Sequence, residues 1–88
     1  MPHAALKPTV SVTAVQDEAV LLDLSSGQYF GLNETGKVII DGLQNGDSTE
    51  HIAQTLCERF DVAADDANRD VEALLEDLAR ADLLSSVD

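Results

Sequence analysis

An 88-residue chain is long enough for one domain with one modest core, and too short to wrap a deep substrate pocket of its own. Its 17 acidic against 5 basic residues give a formal net charge of -12, which repels both a phosphate backbone and an anionic lipid surface and so excludes nucleic-acid and membrane partners. The ordinary role of such an excess is solubility, and it can also steer a basic or mixed-charge polypeptide towards the surface.

Residues 1–8, with Pro2 and Pro8 and no periodicity, read as a flexible N-terminal arm, so the ordered domain is expected over residues 9–88. "TVSVTAV" alternates β-branched with small or polar residues and predicts a strand with Val10, Val12 and Ala14 on one face. After a polar turn, "AVLLDL" predicts a second strand with Val20, Leu22 and Leu24 on one face, and "SSG" turns the chain again into a third strand, "QYFGL". Two short connections in succession imply an antiparallel meander whose third strand is an edge. Alternation puts Phe30 and Leu32 on the core side of that strand, and leaves Gln28, Tyr29 and Gly31 to form the edge and the approach to it.

Asn33 is a good N-cap for a helix over "ETGKVIIDGLQ", with Val38, Ile39 and Leu43 at core spacing and Asn45-Gly46 as the stop. "DSTEHIAQTLCERF" predicts a second helix capped by Asp47 or Ser48, with Glu50 in a capping-box position to Asp47 and a stripe of Ile52, Ala53, Leu56, Cys57 and Phe60. A third helix is expected from about Asp65 to Asp82, its apolar stripe being Ala67, Val71, Leu74, Leu75, Leu78 and Ala81, with Leu83 and Leu84 returning to the core before the end frays. The predicted class is therefore α+β: a three-stranded antiparallel sheet followed by three helices, in the manner of a winged helix-turn-helix.

Catalytic and metal chemistry find no constellation. His3, His51 and Cys57 are scattered without ligand spacing, Cys57 falls in an apolar stripe as a small hydrophobe, and Ser48 is explained as a cap. The acids Asp61, Asp65, Asp66 and Asp70 lack the order of a calcium loop and suit a solvated helix start. An acyl carrier is disfavoured because the order is Asp23-Leu24-Ser25 rather than Asp-Ser-Leu. A winged-helix regulator would read DNA with its third helix, yet Asp65, Asp66, Asp70, Glu72, Glu76, Asp77 and Asp82 there face only Arg69 and Arg80. A lone Cys57, no secretion signal in "MPHAALKPTV", and no apolar run near the roughly 20 residues of a membrane span predict a cytoplasmic protein without metal or cofactor.

Read in order, "VLLDL", "GQYFGLNETG", "GDSTEHIAQTL", "FDV" and "DVEALLEDLARADLL" resemble the PqqD-like family of peptide-recognition elements, which serve pathways that modify ribosomally made peptides. The resemblance runs from about Val10 to Leu84, and the early "VSVTAVQDEAVLLDL" is most similar to the free-standing recognition proteins of lasso-peptide biosynthesis. Two positions depart from the family pattern: Ile40, where a Trp or another large residue is frequent, and Asp82, where Gly is usual.

The resemblance implies a non-catalytic adaptor. It would bind the leader segment of a precursor peptide as an added strand on the third β-strand, against the third helix, and deliver it to a partner leader peptidase or other maturation enzyme. A PqqD-type chaperone presenting a precursor to a radical SAM enzyme is the neighbouring alternative. The peptide-binding residues expected on this basis are Gln28, Tyr29, Phe30, Gly31 and Leu32 from the strand, Val71, Leu74, Leu75 and Leu78 as an apolar floor, and Asp70 and Asp77 as a charged rim. The same Leu and Val positions are also what any three-helix domain would use for its core.

Overall fold

In the computed structural model, which describes residues 5–85, strands β1 (Val10–Val15), β2 (Glu18–Asp23) and β3 (Tyr29–Leu32) precede helices α1 (Glu34–Gln44), α2 (Thr49–Phe60) and α3 (Ala64–Arg80). The strands pair antiparallel in chain order, leaving β1 and β3 as the two edges. This is the α+β arrangement expected from the sequence, with α3 beginning at Ala64 and ending at Arg80.

The register sorts the sheet into two faces. Val12 lies opposite Leu21, Leu21 opposite Phe30, and Ala19 opposite Leu32, and this face meets the helices. Val20 and Leu22 share a face as expected, but it is the outer one, and Leu24 beyond the strand is exposed with them. A run such as "AVLLDL" is apolar in both phases of a two-residue period, so the phase is decided by the helices: Ala19 and Leu21 bury, and Asp23 goes in with them. Leu21, Ile39, Ile40, Ile52, Leu56, Leu78 and Leu83 form the fully buried centre, so Ile40 fills the core without a larger side chain.

Helix ends follow local chemistry. Asn33 caps α1 by accepting from the Gly36 N–H at 2.9 Å, and Ser48, rather than Asp47, caps α2 by accepting from the His51 N–H at 3.1 Å. Counting from Ser48, the third position is His51, so Glu50 makes no capping box. Both α1 and α3 close with paired backbone bonds of the Schellman type: Gly46 N to Leu43 O with Asp47 N to Gly42 O, and Asp82 N to Ala79 O with Leu83 N to Leu78 O. That geometry needs a left-handed residue after the cap. Gly46 supplies it in α1 at φ 83°, and Asp82 supplies it in α3 at φ 61°, a conformation that glycine adopts more readily than a residue with a side chain.

Asp82 also holds the start of the chain. Its carboxylate meets Lys7 Nζ at 2.8 Å, Lys7 N donates to Leu83 O, Ser85 N donates to Ala5 O, and Leu6 pairs with Leu84. The arm expected over residues 1–8 is thus tied to the C-terminal segment from Ala5 onward, because its backbone finds partners there that composition does not reveal. Residues 1–4 and 86–88, the latter within the tail expected to fray after Leu84, lie outside the described residues.

The junction of α1 with α2 is closed by a small residue. A Cβ on Gly42 would stand 2.6 Å from Ile52 Cγ1, so the absence of a side chain lets the buried Ile52 lie against the α1 backbone.

Candidate functional site

The β2–β3 turn fixes where the free edge lies. Asp23 is 4% exposed, and its Oδ1 accepts from the Ser25 backbone N–H at 3.0 Å and from the Ser25 hydroxyl at 2.8 Å. The Ser25 N–H, then the Ser25 and Thr9 hydroxyls, lower the Asp23 carboxyl from 3.8 to about 2, against the opposing effect of burial. Next to it, Asp23 N donates to Gln28 O and Gly27 N to Asp23 O. Antiparallel pairing alternates, so from the Asp23–Gln28 bond the groups of Phe30 and Leu32 also turn towards β2. The N–H and C=O of Tyr29 and Gly31 therefore face away from the sheet. A four-residue strand thus presents a short row of open donors and acceptors at fixed spacing.

Beside this edge α3 packs on α2 and stands off from β3, leaving a cleft of about 460 Å³. Its walls are Phe30, Gly31 and Leu32 on one side and Asp70, Ala73, Leu74 and Asp77 on the other. Ile39, Thr35 and Gly36 from α1 close the remaining side. The α3 residues recur at i, i+3, i+4 and i+7, one stripe of the helix turned from the stripe of Ala67, Val71 and Leu78 that enters the core. Leu74 is half-buried and serves both.

Of the residues expected to meet a peptide, the structure brings Phe30, Gly31, Leu32, Asp70, Leu74 and Asp77 together. Val71 and Leu78, at 2% and 0% exposure, are spent on the core and offer no surface to a guest. Both belong to the buried core, where α3 packs on α2. Leu75 is half-buried against the core and outside the cleft lining, and Gln28 and Tyr29 lie beyond it, Tyr29 being 75% exposed on the outer face of the sheet. Ala73 and Thr35 were not singled out from the sequence, and Ile39 was expected only as a core position of the first helix. The signal available for Ala73 was its place one turn from both Asp70 and Asp77.

Charge completes the site. Asp77 pairs loosely with Arg80 at 3.6 Å, Asp66 with Arg69 at 3.4 Å, and Lys37 with Asp41 at 2.9 Å, whereas Asp70 has no basic partner among the described residues. Among those residues there is no group of His, Cys, Asp or Glu able to hold a metal ion, and no helix long and apolar enough to cross a membrane. Cys57 is half-buried in the α2 stripe.

The fold and site together define a small α+β domain with one strand edge left open over a cleft. Its sequence matches the family described as Coenzyme PQQ synthesis protein D (PqqD) over residues 18–84, and the chain belongs to that family. Two solved structures are similar throughout. One, described as TbiB1 in complex with the TbiA(beta) leader peptide, is 33% identical with a TM-score of 0.87, covering 93% of this chain and 95% of that one. The other, a lasso peptide synthetase B1 complexed with the leader peptide, is 34% identical with a TM-score of 0.86, covering 96% of this chain and 99% of that one. Among curated proteins, none matches the chain.

Proposed function

We propose that this protein is the leader-binding adaptor of a lasso-peptide pathway, without catalysis of its own. The observation that carries the reading is the open backbone of Tyr29 and Gly31 beside an apolar-floored cleft, in a fold shared almost end to end with two proteins solved with leader peptides. A leader segment adds as a strand to β3, taking affinity from main-chain bonds, while its inward side chains enter the cleft on Leu74 and Ala73. Asp70 and Asp77 favour basic residues where the guest passes the rim, and they are exposed enough that their effect is on encounter more than on final affinity. Bound in this way, the precursor is held at raised local concentration for a separate leader peptidase or other maturation enzyme.

The test uses the parity of the edge. Proline at Tyr29 removes an N–H that points away from the sheet, and an edge strand tolerates it there. Titrating the fluorescently labelled leader of its own precursor into Tyr29→Pro should show binding lost while the thermal midpoint stays close to that of the wild type. A folded Tyr29→Pro protein that binds the leader with undiminished affinity would overturn strand addition at β3.

A further inference from the structure

The edge of β3 has a second side. On the outer face of the sheet, around Gly31, lies a shallow depression of about 350 Å³ that adjoins the cleft along Gly31, Leu32 and Asn33. Its apolar floor is Val20, directly opposite Gly31 in the register, with Val15 beyond it and Glu18 on the margin. Both valines are open to solvent, at 36% for Val20 and 54% for Val15. The depression exists because position 31 has no side chain, and a Cβ built there meets nothing within 4 Å. Nor does the backbone require glycine, since Gly31 is not among the residues with positive φ.

We propose that this depression is a specificity subsite for one large apolar, by preference aromatic, side chain of the bound peptide: the residue paired with Gly31. The inference rests on strand addition at β3 and extends it to the face of the sheet away from the cleft. Residues paired across neighbouring strands point to the same side, and Gly31 belongs to the outer face. Its N–H and C=O face the edge, so the guest residue opposite it is held in a hydrogen-bonded pair. The side chain of that residue finds no neighbour at 31 and lies across the strand onto Val20 and Val15. An aromatic ring covering a glycine in the next strand is a recognised way of completing a sheet surface, and a flat ring fits a shallow floor better than a branched chain. Glu18 on the margin excludes a carboxylate from the same place. The bound peptide is then read on both sides, by the cleft through its inward residues and by Val20 through the residue between them.

A display library of random peptides panned against the full-length chain tests this. Peptides selected on the wild type should protect the Tyr29 and Gly31 amides from exchange and share an aromatic residue at one register position, whose ring protons show contacts to the Val20 methyls. Replacing that residue with Ser should weaken binding at least about tenfold, the behaviour of an interface anchor. The same library panned against Gly31→Glu, whose added side chain has open space and leaves the fold intact, should lose the aromatic preference and gain Lys or Arg there, with the inward positions unchanged. Selected peptides that protect both amides but carry no bias opposite Gly31, or a Ser-substituted peptide that binds equally well, would overturn the subsite and leave the adaptor reading standing. Peptides that protect neither amide would overturn both.

Discussion

Two glycines in this chain do opposite things. At Gly42 the missing side chain is answered by Ile52, which occupies the space and locks α1 to α2. At Gly31 the missing side chain is answered by nothing within the protein, and the strand is left open on its edge and on its outer face. The first junction is finished within the chain; the second is left open by it. A glycine in a small domain thus carries its meaning in the atoms around it and not in its own flexibility.

The comparison is broken most forcefully at the closed junction. Gly42→Val forces its side chain into Ile52 and should lower unfolding stability by about 2–3 kcal/mol, the cost of overpacking a full core, measured by urea denaturation. At the open junction Ala73→Leu should do the reverse. Ala73 is exposed and lines the cleft, and Ala and Leu differ little in helix propensity, so stability should stay within about 0.5 kcal/mol. The plugged cleft should nevertheless weaken leader binding about tenfold or more, seen by anisotropy titration.

Asp23 tests whether the turn that aims the open edge is held by charge. Its carboxyl titrates below its ordinary value, so its contribution is present above pH 3.8 and is lost as the pH falls towards about 2. Wild type should therefore exceed Asp23→Asn in thermal midpoint at neutral pH, and the gap should narrow through that acid window. A constant gap down to pH 2 would show that the carboxylate charge is not what holds the turn. The smallest effect is expected from Gly31→Val. A β-branched residue in a strand with open space around it should raise stability, by up to about 1 kcal/mol, detectable as a higher midpoint in urea.

Much of this architecture is written locally. Asn33, Ser48 and Asn45-Gly46 mark helix ends through bonds made within a few residues, so they can be read from the chain directly. What the sequence leaves open is set by packing between distant segments. The run "AVLLDL" is apolar on both faces, and only the helices decide that Leu21 goes in while Val20 and Leu22 stay out. On α3 the apolar stripe extends over more residues than the core needs, and the helix orientation divides it, sending Val71 and Leu78 inward and Leu74 to the boundary. Ala73 was invisible for the same reason: a small residue reveals a wall only once the opposite wall is in place. The anchoring of Lys7 by Asp82 and Leu83 likewise spans nearly the whole chain.

That last contact has a practical side. Ala5 and Ser85 are hydrogen-bonded neighbours at 2.9 Å, on segments separate from both the cleft lining and the outer depression. A short linker from Ser85 to Ala5 would close the described residues into a ring, which could be reopened at the exposed turn between β1 and β2 to give a circular permutant. New ends at Gln16 and Asp17 would leave the β3 edge and the cleft untouched and would open the sheet only where Val15 pairs with Glu18, on the margin of the outer depression.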